Sequence, residues 1–479
     1  MLGGRKMGLD NGTTEPAYQV QSSEELGRYI TAARDLGPGD LVLTERPLVF
    51  GPKSMLDPEA SMPCMRLASL LRKLPRAERP QTSWHRKTNP ESWTKLLEMQ
   101  SHMESRTPGT EAYDEANEFV VEYLMKNFIN SLDANLKSKF LPEISSELLH
   151  RMCGIIDTNA LEIRLPDGAE LFALYAKTYL VEHSCLSNTK HTFNLTSKDS
   201  NELYTIYMKA VVPIEKDGHI NTMYSHALWG TPARRQHLKD TKYFSCKCIR
   251  CSDPTELGTY LSAAKCLGQD GIPCDGIHLP ENPLDEETDW ACNKCPAKVN
   301  SNEINMVVFQ MGLEVETVQM MGGSVEMLEN LLRKLSTFLH PNHYHLYAIK
   351  HSLVQLYGRQ PGYTSENSLN EKIKMCKELL GITKILDPGN ARLSLYSSVL
   401  QHELHSALVM KAILKKDDGS SKPVEEMKPL LLEAKTAVED ALEALKDETQ
   451  ETSGLKLYSV IKETKTCFEI LCQEKKVVL

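Results

Sequence analysis

Residues 241–261 read "TKYFSCKCIRCSDPTELGTYL", and the question they raise is what Cys246, Cys248 and Cys251 hold. The chain has 479 residues and 13 cysteines, seven of them between Cys246 and Cys295 and none between Cys295 and Cys376. Crowding of this kind in a C-x-C-x2-C spacing points to thiolates on a metal rather than to disulfides. A structural zinc ion takes four ligands in a tetrahedron. Cys266, Cys274, Cys292 and Cys295 supply a full set, with the C-x2-C of "CNKC" as one half. The set of Cys246, Cys248 and Cys251 is one ligand short. Cys185, in "LVEHSCLSNTKHTF" (180–193), is the candidate for the eighth thiolate. On spacing alone that reading is level with Cys185 being a small buried hydrophobe and His183 a satisfied core histidine.

Charged residues make up 25% and hydrophobic residues 41% of the chain, ordinary values for a globular protein. The formal net charge of −9 and pI of about 6.0 argue against direct nucleic-acid binding by phosphate neutralisation. No run of 18 apolar residues occurs, so no membrane span is expected. The opening "MLGGRKMGLDNGTTEPAYQV" has no apolar core of a signal peptide, and with metal-bound thiolates the expected location is cytoplasmic and/or nuclear.

The pattern changes along the chain. After a flexible stretch at 1–19, residues 20–50 read as short strands around the turn Gly37-Pro38-Gly39. Residues 51–150 turn helical, in "PCMRLASLLRKLP" (63–75) and in "AYDEANEFVVEYLMKNFINSL" (112–132) through Phe119, Leu124 and Phe128, with a polar loop near 75–90. Residues 151–239 read as strands again, starting with "GIIDTNALEIRLPDG" (154–168) and continuing through Leu203, Ile206, Met208 and Val211. The cysteine block fills 240–300. From 301 to 479 one amphipathic helix follows another, with stripes at Leu346/Ile349/Leu353/Leu356, at Leu393/Tyr396/Leu400/Leu404/Ala407, and at Leu431/Ala434/Val438/Leu442/Leu445. The helices are of tetratricopeptide-like length, without a clean 34-residue period.

Strands flanking a helical insert, an H-x-C pair, a downstream tyrosine and C-x-C-x2-C together resemble a SET domain with its post-SET zinc segment. More closely the chain is similar to the SMYD family of SET proteins, of the arthropod SmydA type. The likeness is strongest over 153–260, in "CGIIDTNALEIRLPDG", "HSCLSNTKHTF", "MYSHALWGTPARRQHL" and the opening stretch, and it extends to "LGRYITAARDLGPGDLVLTERPLV" (26–49). The resemblance implies an α+β fold: a SET β-fold with a helical insertion, a zinc-bound post-SET segment and an all-α, tetratricopeptide-like C-terminal domain. It implies a protein-lysine N-methyltransferase that uses S-adenosylmethionine, carries two structural zinc ions and acts on a histone or other protein. It implies Tyr224 as catalytic tyrosine, and cofactor contacts at Gly27, Arg28, Asn159, Glu182, His183 and Phe244, with Asn188 beside them. It also makes Cys185 the fourth ligand of the first zinc site.

Several positions depart from that family's pattern. The second glycine of its G-x-G turn is Tyr29, the asparagine before His183 is Glu182, and its G-E-E segment reads Asp217-Gly218-His219. A proline is Ser187, and with Cys64 as the lone cysteine of 51–110 the usual MYND finger is missing. Three readings follow: an active lysine methyltransferase, a SET-fold scaffold or co-regulator with a degenerate cofactor site, and a module that binds a partner protein on its helical C-terminal domain.

Overall fold

The computed structural model describes residues 15–53, 90–130, 145–199, 201–414, 422–446, 448 and 452–479. The helix expected at 63–75, the loop at 75–90, Cys64, most of the 1–19 stretch and the side chain of Phe128 lie outside the described residues.

The N-terminal half is built of small sheets wrapped around one core. β1 (Tyr18–Ser23) pairs antiparallel with β2 (Gly27–Ala32), and β3 (Leu41–Glu45) and β4 (Val49–Pro52) follow the Gly37–Gly39 turn. α1 (Pro90–Leu97), α2 (111–129) and α3 (Ser146–Asn159) come next. β5 (Leu161–Arg164) and β6 (Glu170–Leu174) make a three-stranded sheet with β4. β7 (Glu182–His183) runs parallel to β10 (Asn221–Thr222), while β8 (Thr189–Phe193) and β9 (Ile206–Ala210) join β3. Ile30, Ala32, Ile163, Ile206, Met208 and Ile220 fill the space between these sheets.

Two expectations, one of strand and one of a helical face, are corrected. Residues 154–159 open no strand; they end α3, and only 161–164 of that stretch is extended. Ser145 caps α3 by accepting the Leu148 N–H at 3.2 Å. Leu149, Met152, Cys153, Ile155 and Ile156 then bury one face, an i, i+3/i+4 spacing. Gly154 lies against the Ser101 carbonyl, where a Cβ would collide. In α2 the buried face is Ala116, Val120, Val121 and Leu124, not one led by Phe119. π-type turns at Asn117–Val121 and Met125–Ile129 rotate the face away from a strict 3.6-residue period.

α4 (Thr231–Lys242) and α5 (Ile249–Ser252) lead into a four-stranded sheet of β11 (Ala264–Lys265), β12 (Ile277–Pro280), β13 (Trp290–Cys292) and β14 (Lys298–Val299). Seven helices follow: α6 (Ser301–Met320), α7 (Val325–Leu335), α8 (Tyr344–Leu356), α9 (Glu366–Leu386), α10 (Ser394–Ile413), α11 (Val424–Ala444) and α12 (Ser453–Glu474). Each of the stripes seen in the sequence is buried, from Leu346, Ile349 and Leu353 to Leu431, Ala434 and Val438. Gly312 lets α6 approach the His345 ring, which a Cβ would meet at 2.8 Å. Among the described residues no helix is long and apolar enough to cross a membrane. The observed fold is α+β with a helical C-terminal region.

The helical region carries buried neutral histidines. Burial, with repulsion from Lys265 and Lys350, lowers His340 to about 4, and burial lowers His345 and His351 to about 4 as well. The unfolded chain, with ordinary values near 6.5, binds these protons first, so their contribution is complete above about pH 6.5 and lost as pH falls toward 4. Three such groups steepen the loss by up to about 4 kcal/mol per pH unit in that window. Urea midpoints should fall accordingly, and His351→Gln should reduce the slope by up to about 1.4 kcal/mol per pH unit. A slope that His351→Gln leaves unchanged would refute the assignment.

Candidate functional site

The parallel pairing of β7 with β10 sets Glu182↔Asn221 and His183↔Thr222 side by side, so residues 182–185 and 219–224 share one locus. Asn188 fastens it. Its Oδ1 accepts the Asn221 N–H at 2.9 Å, its own N–H reaches Asn221 Oδ1 at 3.0 Å, and its Nδ2 donates to the His219 carbonyl at 2.8 Å. The amide is thereby spent on backbone geometry.

His183 and Tyr224 form the centre. The Tyr224 N–H donates to His183 Nδ1 at 2.9 Å, and the rings lie 5.3 Å apart. With Nδ1 accepting, the proton of the neutral ring sits on Nε2, 3.3 Å from Cys185 Sγ. Burial lowers His183 to about 4 and keeps it neutral. The Tyr224 hydroxyl donates to the Val181 carbonyl, and burial, then the Glu182 charge, push its phenol up, so it stays protonated. The Phe244 ring is 36% exposed and 5.7 Å from that of His183. It is carried there by Lys242, which donates to the Asp157 and Thr158 carbonyls at 3.2 and 2.7 Å, and by the left-handed backbone of Tyr243.

The remaining residues implied as cofactor contacts already have partners within the chain. Arg28 bonds Glu98 at 2.9 Å, the Glu98 carbonyl at 3.0 Å and the Tyr179 hydroxyl at 2.7 Å. Asn159 Nδ2 donates to the Gln100 carbonyl at 2.7 Å and to Ile155 at 2.8 Å. Gly27 has φ +66°, but Tyr29 is an ordinary strand residue opposite Gln21, so tyrosine at the family's second glycine position carries no backbone strain. Its ring stacks on His219, with centroids 4.9 Å apart and planes 2° off parallel, and His219 Nδ1 meets Glu182 Oε2 at 2.5 Å. Three of the departures noted in the sequence, Tyr29, His219 and Glu182, therefore touch in a chain. No motif links Glu98 to Arg28 or Tyr29 to His219, and the sequence carried no signal for either contact.

The cysteines assemble into two groups, Cys185/Cys246/Cys248/Cys251 and Cys266/Cys274/Cys292/Cys295, the sulfurs of each lying within 4.8 Å of one another. Cys185 Sγ is 4.0 Å from Cys246 and 3.5 Å from Cys251; Cys266–Cys295 is 3.6 Å and Cys274–Cys292 3.8 Å. A tetrahedron with Zn–S bonds near 2.3 Å has sulfur–sulfur edges of about 3.8 Å, so both groups fit zinc. In the first group Cys185, Cys246 and Cys251 are buried beside Met223, Leu238 and Leu393, and Cys248 is part-buried.

No protein-family model matches the chain. It is 29% identical over 321 residues to the SET domain-containing protein SmydA-8, isoform A, of Drosophila melanogaster, covering 59% of this chain and 65% of that protein's length. It is 28% identical over 176 residues to the histone-lysine N-methyltransferase ASHR1 of Arabidopsis thaliana, covering 36% of this chain and 33% of that one. A crystal structure of the SET domain of LSMT bound to lysine and AdoHcy aligns over 95% of this chain and 89% of that one, at 10% identity and a TM-score of 0.32, too low to carry an argument. The homologues of this chain are thus SmydA-8 SET domain-containing proteins.

Proposed function

We propose that the chain is an S-adenosylmethionine-dependent protein-lysine methyltransferase. The observation that carries this reading is the convergence of the neutral His183, the protonated Tyr224 and the exposed face of Phe244 at one locus. When bound, the cofactor would supply a sulfonium methyl group for transfer to a neutral lysine amine, the C–S bond giving way to an N–C bond and the amine proton going to water. Phe244 offers an apolar face to an adenine ring. Tyr224, its own proton held by Val181, leaves oxygen lone pairs to face the amine and the methyl group as charge disperses from sulfur. Residues 20–50 and 151–239 form the catalytic unit in this reading, 51–150 its insertion, 240–300 the zinc segment and 301–479 a domain free to take a partner protein, in cytoplasm and/or nucleus.

The contacts of Arg28, Tyr29 and Glu182 favour a second reading, a SET-fold scaffold that does not load the cofactor. Glu98 places a carboxylate on the very guanidinium that the resemblance gives to the cofactor. The pair is surface-exposed on both sides, at 41% and 47%, and is worth no more than about 1 kcal/mol. Calorimetry with S-adenosylmethionine separates the readings. Saturable binding supports the enzyme, with affinity rising about fivefold in Glu98→Gln as Arg28 is released. No heat at about 1 mM cofactor in either protein sinks it in favour of the scaffold.

A further inference from the structure

We infer that Arg234, which no motif marks, is a positioning residue of the first tetrathiolate site, holding two of its sulfurs and compensating the charge of the loaded site. This rests on the reading of that site as zinc-binding. Arg234 is fully buried in the first turn of α4. Its Nε donates to Cys185 Sγ at 3.3 Å and its Nη2 to Cys251 Sγ at 3.4 Å, so one planar fork spans the remote ligand and the C-x-C-x2-C segment. The rest of the guanidinium is occupied by Thr231 Oγ1 at 2.8 Å, Glu256 Oε2 at 2.7 Å and the Trp229 carbonyl at 2.5 Å. Glu256 is buried in turn. It takes Arg250 at 3.2 Å, the Thr231 N–H at 3.0 Å and Ser262 at 2.5 Å, from a backbone held at φ +51°.

The charge balance gives this network a purpose. Four thiolates on one divalent ion carry a formal charge of minus two, costly where three of the four sulfurs are buried. Arg234 and Arg250 with Glu256 add a net plus one beside it, and Arg234 delivers its share through N–H···S bonds. The second cysteine group has the same ligands and a different solution. Its sulfurs accept backbone N–H groups, Gly268 to Cys266 at 3.4 Å, Gly276 to Cys274 at 3.3 Å and Lys294 to Cys292 at 3.3 Å. Cys274, Cys292 and Cys295 are part-exposed, where water shares the charge. Donors behind the ligands tune metal affinity by about 10–100-fold in known sites. The first site takes side-chain donors on its buried sulfurs, Arg234 on Cys185 and Cys251 and His183 on Cys185, and the half-exposed site takes backbone donors, so the second site is an internal control.

The test uses the full chain loaded with zinc and a chromophoric chelator. Release should occur in two phases, and Cys185→Ser identifies the first site as the phase it removes. Arg234→Met, similar in volume and uncharged, is expected to speed that phase at least about tenfold and leave the other unchanged, with Arg234→Lys in between. In the cobalt-substituted protein, loss of the N–H···S bonds should move the sulfur-to-cobalt charge-transfer band of that site to lower energy, a signature that packing alone does not alter. Unchanged release and an unchanged band in folded Arg234→Met would overturn the inference. If Arg234→Met does not fold, Arg234→Lys decides: faster release from the first site alone supports it, and wild-type release refutes it. A wild-type chain with no metal at the first site would overturn the zinc reading itself, and this claim with it, and metal analysis distinguishes that failure from the others.

Discussion

Cys185→Ser is expected to leave one zinc ion per chain where the wild type holds two, and to destabilise the contact between the strand region and the cysteine block. The sulfur of Cys185 closes a group otherwise made of three ligands from residues 246–251, and it is only 1% exposed. Serine's hydroxyl is a poor zinc ligand, and the three remaining thiolates should hold the ion far less firmly. Zinc-binding free energy is folding free energy, about 10–16 kcal/mol for structural sites in small peptides, and forfeiting a good part of it puts the loss on the order of 5 kcal/mol. The damage should extend to the α10 side, because Leu393 and Tyr396 pack on the same cluster. The measurement is elemental analysis with a thermal melt of both proteins. Two zinc ions retained in Cys185→Ser, or one in the wild type, would refute the count of eight ligands.

Tyr224→Phe is expected to cut methyl transfer to a protein substrate by about 100-fold or more, with S-adenosylmethionine affinity changed less than about twofold. The substitution removes one oxygen from the locus and little else, since the ring contacts with His183 remain possible. It also leaves the Val181 carbonyl without the phenol hydrogen bond, and a small stability loss of about 1 kcal/mol should accompany it. A loss confined to the catalytic step marks the oxygen as a group that acts on developing charge. Parallel losses in affinity and turnover would instead mark Tyr224 as a wall of the pocket. Single-turnover kinetics with saturating cofactor tells the two apart, and an undiminished rate would remove Tyr224 from the mechanism altogether.

The C-terminal helices were legible because their signal is local: a stripe such as Leu346/Ile349/Leu353 records burial within three turns of one helix. The four-cysteine group of residues 266–295 was legible for the same reason. α3 was misjudged over 154–159, where isoleucines that suit a strand were claimed by a helix already nucleated and capped at Ser145. In α2 the helix and the buried Leu124 were legible, while π-type turns bring Val120 and Val121 into the buried face beside a part-buried Phe119.

By itself the sequence determined that seven clustered cysteines suit a metal, the run of amphipathic helices and the positions at which this chain departs from the pattern it resembles. Only the tertiary structure decided what those positions do: that Cys185 joins Cys246 and Cys251, that Tyr29 stacks on His219 and His219 bonds Glu182, that Glu98 occupies Arg28, and that Arg234 lies behind the thiolates. The physical reason is range. Helical burial and C-x2-C turns are set by neighbours within a few residues, whereas these contacts join segments that meet through the pairing of β7 with β10, the bonding of β2 to residues 218–220, and the docking of α4 on the cysteine block.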